Sequence, residues 1–183
     1  MMRLFVAVRL PEEVKTNISR KLVALVPEEA FKHVEKENLH ITICFIGEVL
    51  PEDAENLKAG FEKAELQDVA QFTVCCTGIG SFGKNVLWLG ITEGAEELGK
   101  IAGIVSRGLG IVNPDFHAHI TLARNRNASF EEAKEITEKL SKTNFSAEFP
   151  ANSVCLMASE LSRSGPHYEV VSERTFASIS SGL

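Results

Sequence analysis

The tripeptide His-Ile-Thr occurs twice in this chain, at 40–42 and at 119–121, each time at the start of an apolar run. The two runs read HITICFIG and HITLAR. In a β-strand, residues i and i+2 lie on one face, about 6.6 Å apart along the strand. Each tripeptide therefore predicts a His and a Thr side by side on one surface, with the Ile facing the other way.

Two such strands brought together would place the imidazoles of His40 and His119 and the hydroxyls of Thr42 and Thr121 around one spot. Because the ordinary pKa of His is about 6.5, one imidazole can be neutral while the other is protonated at neutral pH. The neutral ring would accept a proton from an attacking hydroxyl, and the charged ring would donate one to the leaving oxygen. The Thr hydroxyls could donate hydrogen bonds to phosphate oxygens. This pattern predicts metal-free acid–base chemistry on a phosphodiester.

A single His-x-Thr in a strand is typical of a half-buried, hydrogen-bonded histidine that has no catalytic role. The second copy changes the interpretation, because both tripeptides follow a predicted helix and precede another. A polar pair kept in both halves of a sheet is costly unless it serves a polar site. The repeat therefore favours a functional site over a structural one.

The elements around the tripeptides also repeat, in the order strand, helix, His-Ile-Thr strand, helix, strand. The first set is predicted at 3–10, 11–26, 40–47, 51–65 and 71–80, and the second at 85–91, 94–108, 116–124, 129–142 and 145–161. Further strands are predicted at 31–35 and 167–176. This half-molecule duplication predicts an α+β fold that forms one domain over 1–183. We expect two pseudo-symmetric lobes with mainly antiparallel sheets flanking a central active-site cleft.

The composition is that of a globular protein, with 44% apolar and 24% charged residues among 183. The net charge of −6 disfavours general binding of long nucleic acids, which needs many Lys and Arg. No apolar run approaches the ~20 residues that span a bilayer, and the N-terminus lacks a signal-peptide pattern. Four Cys without a C-x-x-C spacing are interpreted as reduced thiols, which predicts a cytoplasmic protein.

The sequence resembles the two-histidine phosphoesterases, and most closely the RNA 2′,3′-cyclic phosphodiesterases, also called 2′-5′ RNA ligases. The resemblance covers nearly the whole chain, and its motifs are RLFVAVRLPEEV, NLHITICFIGEV, VLWLGI and HAHITLAR. Ala118 stands where many relatives carry Pro, and Ile43 and Cys44 stand where Leu and Lys are common. None of these departures touches a His or Thr of the paired motifs.

The resemblance implies metal-free opening of a 2′,3′-cyclic phosphate to a 2′-phosphate, without a cofactor. By similarity, His40 donates a proton to the departing 3′-oxygen and His119 activates water. Thr42 and Thr121 would hold the phosphate, and Arg124 would add positive charge. The residues alone do not separate the two histidine roles, because the halves are nearly symmetric.

The role that the resemblance implies for Arg124 disagrees with the strand pattern, because strict alternation places Arg124 on the face opposite His119. It reaches the site only if the strand ends or bulges there, and the alternative is a solvated surface side chain.

Several other residues are weaker candidates. His117 forms His-x-His with His119, a spacing that suits a metal, but no carboxylate or Cys completes a site, so His117 is predicted to line the cleft mouth. His33 and His167 are predicted on the surface. The stretch 78–83 matches G-x-G-x-x-G, but a strand follows it instead of a helix, so a hairpin loop bordering the cleft is predicted. Trp88 is predicted to pack in the core.

The expected partners are RNA ends with a 2′,3′-cyclic phosphate or small nucleotides, with no membrane, and the chain is expected to be a monomer. The same histidine pair, run backwards, would join a cyclic end to a 5′-hydroxyl as a 2′-5′ bond. Two alternatives remain open. One is hydrolysis of 2′-5′ oligonucleotides or of a cyclic phosphate on an ADP-ribose fragment. The other is a module that binds RNA ends without turnover.

Overall fold

The structure is a computed structural model that describes residues 2–112, 116–162 and 165–178. Its helices are α1 (Glu12–Lys21), α2 (Pro51–Glu62), α3 (Ala95–Leu109) and α4 (Phe130–Ser141). Its strands are β1 (Met2–Arg9), β2 (Phe31–His33), β3 (His40–Val49), β4 (Phe72–Phe82), β5 (Val86–Glu93), β6 (His119–Asn125), β7 (Ser146–Ala151), β8 (Ser153–Ser162) and β9 (Gly165–Thr175). Short 3₁₀ helices span Val23–Leu25 and Lys36–Asn38.

Within the described residues the strands form one sheet in the order β7-β4-β5-β6-β3-β1-β8-β9, with β2 paired to β6. All of these strand pairs are antiparallel. The two His-Ile-Thr strands, β3 and β6, are neighbours at the centre of this order. On one side of them lie β5, β4 and β7, and on the other lie β1, β8 and β9. The predicted α+β class and antiparallel pairing are therefore confirmed.

The helices form where the sequence spaces apolar residues by three and four. In α3, Leu98, Ile101, Ala102 and Val105 form such a stripe, and all four are buried. This stripe lies against β3 and β5. The helix ends at Gly110, whose φ of 66° is a left-handed conformation that glycine adopts without strain. No helix among the described residues has both the length and the apolar character needed to cross a membrane.

The predicted capping box of α4 is present. The backbone N–H of Glu132 donates to Ser129 Oγ at 3.1 Å, and the backbone N–H of Ser129 donates to Glu132 Oε2 at 2.7 Å. Two otherwise unpaired donors of the first turn are thereby satisfied.

Two predicted elements differ from the structure. The stretch 145–161 is not one strand but two, because β7 ends at Ala151 and β8 begins at Ser153. The break separates partners in different halves of the sheet, since β7 pairs with β4 and β8 pairs with β1. The predicted helix over 11–26 ends at Lys21 and continues as a 3₁₀ turn.

The G-x-G-x-x-G stretch lies mostly inside a strand, so the predicted hairpin loop is shorter than expected. β4 continues to Phe82, and β5 resumes at Val86. Gly80 lies in this part of β4, packed against Trp88 of β5. A Cβ at this position would lie 2.2 Å from ring atoms of Trp88. Glycine at this position lets the indole lie directly over the β4 backbone.

We predict that Gly80→Ala destabilises the protein by about 1–3 kcal/mol, because the new methyl group must displace the Trp88 ring. Urea denaturation would measure the change. Gly99→Ala is the matched control, since its Cβ would meet only a ring carbon of Phe116 at 3.9 Å and helices favour Ala over Gly. Equal stability of the two variants would contradict this account of Gly80.

Candidate functional site

The centre of the site is the pairing of the two His-Ile-Thr strands. Ile41 lies opposite Ile120 in the antiparallel register, and both side chains are fully buried on the core face. The flanking residues point to the other face, so His40 lies across from Thr121 and Thr42 lies across from His119. Directly opposed residues have Cβ atoms about 4.5–5.5 Å apart. The structure thus brings the two predicted His/Thr pairs together on one surface.

The ring of His40 is held by two hydrogen bonds. Its Nδ1 lies 2.7 Å from the carbonyl oxygen of Asn38, and its Nε2 lies 2.9 Å from Thr42 Oγ1. Because a carbonyl only accepts, Nδ1 carries the proton in the neutral ring, and Nε2 accepts from the Thr42 hydroxyl.

His119 is held in the same way, with its Nδ1 2.7 Å from the carbonyl oxygen of His117. In both cases the anchoring carbonyl belongs to the residue two positions before the histidine. The anchor leaves Nε2 as the nitrogen available for proton transfer on each ring.

Aromatic rings surround the imidazole of His40. Ring centroids of Phe5 and Tyr168 lie 5.0 and 5.5 Å from that of His40. Burial, together with the smaller effects of the nearby charges of Lys15 and Arg124, lowers the pKa of His40 to about 4, against the opposing effect of the Asn38 hydrogen bond. In the unliganded protein His40 is therefore neutral at pH 7.

Aromatic rings also surround His119. The Phe82 ring centroid lies 5.0 Å from that of His119 in an edge-to-face arrangement, and the His117 ring stacks at 5.9 Å. Burial lowers the pKa of His119, the charges of His117 and Arg124 lower it further, and the hydrogen bond to the His117 carbonyl opposes the shift. A histidine with a depressed pKa is neutral at pH 7 and can accept a proton there.

Arg124 reaches the site face because β6 bulges. Thr121 and Ala123 lie opposite Trp88 and Leu87, which are consecutive in β5, so Leu122 is an extra residue. The extra residue reverses the alternation beyond it, and Arg124 moves from the core face to the site face. This is the bulge that the sequence analysis required for Arg124.

The same irregularity occurs in β3. Thr42 and Cys44 lie opposite Ala7 and Val6, which are consecutive in β1, so Ile43 is the extra residue there. Phe45 consequently occupies in the first half the position that Arg124 occupies in the second. Its side chain is 59% exposed, and it lines a surface cavity together with Arg124. The two halves thus present an aromatic ring and a cation at equivalent positions.

A cavity of about 140 Å³ opens beside His40. Its lining combines the predicted residues with polar and charged groups from neighbouring segments, and comprises Lys32, His33, Val34, Glu35, Asn38, His40, Thr42, Thr121, Arg124, Pro166 and Tyr168. Lys32 lies opposite Arg124 in the β2–β6 register, so the cavity has two cations at one edge. Such a cavity suits a small anionic group.

Several of these residues were missed by the sequence analysis. His33 was wrongly predicted on the surface. Its Nε2 lies 2.7 Å from the Val26 carbonyl oxygen, and the residue lines the cavity. Trp88 was wrongly predicted in the core, since it lies on the site side of β5 with its ring 4.9 Å from His117. His167 is exposed, as predicted. Lys32 carries no local signal, because only strand pairing brings β2 to the site.

Comparison with known proteins identifies the family. A family model described as the 2′-5′ RNA ligase superfamily matches residues 11–163. The chain belongs to this superfamily. It is 32% identical to the RNA 2′,3′-cyclic phosphodiesterase of Archaeoglobus fulgidus, over 92% of this chain and 97% of that protein. It is 33% identical to the protein of the same name from Methanocaldococcus jannaschii, over 94% and 99% of the two chains.

Solved structures share the fold of this superfamily member. Escherichia coli LigT complexed with 3′-AMP matches with a TM-score of 0.74 and 24% identity, over 96% of this chain and 98% of that chain. A protein from Thermus thermophilus matches with a TM-score of 0.73 and 27% identity, over 96% and 98% of the two chains. The resemblance to two-histidine RNA phosphodiesterases found in the sequence is confirmed.

The burial of His40 gives a prediction for stability. Its pKa is lower in the folded protein than the value of about 6.5 expected after unfolding, so the unfolded chain binds more protons between pH 6.5 and 4. The stabilisation that comes from neutral His40 is therefore present above pH 6.5 and is lost as the pH falls toward 4. Between pH 7.5 and pH 5, the titration of His40 lowers the free energy of unfolding by about 2 kcal/mol.

Urea denaturation of the wild type and His40→Asn at pH 7.5 and pH 5 measures this contribution. We expect the variant to lose about 2 kcal/mol less than the wild type over this interval. An identical loss in both proteins would show that His40 is not the group responsible.

Proposed function

We propose that this chain is an RNA 2′,3′-cyclic phosphodiesterase that opens the cyclic phosphate at an RNA end to a 2′-phosphate. The observation that carries the proposal is the pair of His/Thr sites facing each other across Ile41 and Ile120. Each histidine is anchored through Nδ1 to a backbone carbonyl, which leaves two Nε2 atoms for one phosphate. The names of the relatives in Archaeoglobus and Methanocaldococcus agree with this function.

In the proposed reaction, His119 Nε2 takes a proton from water while the water oxygen bonds to phosphorus. The bond from phosphorus to the 3′-oxygen breaks, and His40 Nε2–H donates its proton to that oxygen. The products are a 2′-phosphate and a 3′-hydroxyl. Each proton transfer contributes a factor of about 10²–10⁴ in rate.

The assignment of the two roles is supported by the asymmetry of the site. The cavity lined by Lys32 and Arg124 adjoins His40, and His119 is not among its lining residues. We therefore place the nucleotide on the His40 side, with the ribose that carries the leaving 3′-oxygen at His40 and its phosphate facing the two cations of the cavity. Water then attacks from the opposite side, where His119 lies.

His40 is neutral in the free protein, so the substrate must supply the conditions for its protonation. An anion close to an imidazole stabilises the charged form and raises its pKa. The cyclic phosphate carries this negative charge, so substrate binding and protonation of His40 favour each other. Thr42 and Thr121 donate hydrogen bonds to the non-bridging oxygens, and Arg124 offsets the charge that develops there.

The same groups support the reverse reaction. If a 5′-hydroxyl takes the place of water at His119, the product is a 2′-5′ phosphodiester. Because water is far more concentrated than any RNA end, hydrolysis dominates. We place the protein in the cytoplasm as a monomer, and its four cysteines, all unpaired thiols, suit a reducing compartment.

The first test is incubation with a short RNA that ends in a 2′,3′-cyclic phosphate, in the presence of EDTA. We expect a 2′-phosphate product, identified by chromatography against 2′- and 3′-phosphate standards. His40→Ala and His119→Ala should each lower kcat by at least about 10²-fold, since each removes one proton transfer. Thermal unfolding of the variants controls for loss of the fold.

Other outcomes distinguish the alternatives. RNA-end binding without turnover in the wild type would indicate a recognition module. Turnover only of 2′-5′ oligonucleotides or of a cyclic phosphate on an ADP-ribose fragment would assign the same site to another substrate. Near-full activity of either alanine variant would contradict the two-histidine mechanism.

A further inference from the structure

A second cavity, of about 190 Å³, adjoins the site at His40 and Tyr168. It does not include the threonines or Arg124. The rest of its lining comes from β1, α1, residues 37–39, β8 and β9, and no step of the proposed reaction uses it.

Two cations line this cavity. Arg9 is the last residue of β1 and lies opposite His40 in the β1–β3 register, and Lys15 extends from the first turns of α1. The Lys15 Nζ donates to the backbone carbonyl of Glu37 at 2.9 Å, which fixes the ammonium group at the cavity wall. Within the part of the chain that the structure describes, neither cation forms a direct ion pair with a carboxylate.

The two cations of this cavity repel each other. Burial lowers the pKa of Lys15, and the neighbouring Arg9 lowers it further, against the attraction of Glu12 and Glu37. Glu12 forms a closer ion pair, at 2.5 Å, with Lys36. Two like charges kept close together at a partly desolvated wall are stabilised by an anion placed between them.

The rest of the lining is mixed, with an apolar part and polar residues that include Glu37, whose 75% exposed carboxylate lies 3.9 Å from Lys36 Nζ. Phe5, Met157 and Val170 belong to the apolar part of the wall. A cavity that combines an apolar wall with two cations suits a phosphate group attached to a sugar, more than a free inorganic ion.

We propose that this cavity binds the phosphate on the 5′-oxygen of the terminal nucleotide, the group that joins this nucleotide to the rest of an RNA strand. This inference rests on the proposed function, which places the ribose with its 3′-oxygen at His40. The 5′-substituent of that ribose then extends past His40 toward Arg9 and Lys15. The subsite lets the enzyme favour RNA ends over nucleoside cyclic phosphates that lack a 5′-phosphate.

Titration calorimetry with two stable ligands tests the subsite without turnover. Adenosine 2′,5′-bisphosphate should bind the wild type about tenfold more tightly than adenosine 2′-monophosphate, the gain expected for one charge-assisted contact. Arg9→Gln and Lys15→Gln should each reduce this gain to about twofold or less, and Arg9→Gln should leave the affinity for the monophosphate unchanged. Lys139→Gln, which removes an exposed cation of α4, is the matched control and should keep the full gain.

Turnover is measured separately, with adenosine 2′,3′-cyclic phosphate and its 5′-phosphorylated form. We expect a lower KM for the 5′-phosphorylated form in the wild type, and equal KM values in Arg9→Gln. If neither compound is hydrolysed but the bisphosphate still binds more tightly through Arg9, the proposed reaction fails and the subsite stands. If the bisphosphate binds no more tightly, or if Arg9→Gln and Lys15→Gln keep the gain, the subsite is overturned.

Discussion

The antiparallel pairing of Ile41 with Ile120 is the constraint on which the site depends. Both side chains are fully buried on the core face, so the flanking residues of both strands must point to the other face. A shift of one residue in either strand would send that strand's His and Thr into the core and its Ile to the site. The free energy of burying the two isoleucines therefore also fixes the register that places two imidazoles around one phosphate.

The two halves of the site differ in the residues that follow the paired tripeptides. Matching bulges at Ile43 and Leu122 bring the next side chains, Phe45 and Arg124, to the site face. One half thus contributes an aromatic ring and the other a cation. The two charged cavities adjoin His40, because β2 and β6 supply the cations of one, β1 and α1 supply those of the other, and β9 supplies a tyrosine to both. A nearly two-fold scaffold thereby acquires one side for the nucleotide and one side for the attacking oxygen.

The repeated tripeptide and the helix and strand periodicities were sufficient to predict the duplicated α+β fold and the convergence of His40, His119, Thr42 and Thr121. They also identified the bulge as the condition for Arg124. Lys32 could not be predicted, since its place at the site depends on the pairing of β2 with β6 across a long sequence separation. Trp88 was misplaced because its strand alternates, and composition alone did not indicate which face was buried. The split of 145–161 into two strands likewise follows from partners in different halves of the sheet.

The measurement that tests the central claim most directly is the pH dependence of kcat/KM for a 2′,3′-cyclic phosphate substrate in the wild type and in the two single histidine variants. The wild type requires a neutral His119 and a protonated His40, so its profile should be bell-shaped. The residual activity of His119→Ala should lose the fall at low pH, and that of His40→Ala should lose the fall at high pH. Retention of both limbs in either variant would contradict the account, because another group would then be responsible for that proton transfer.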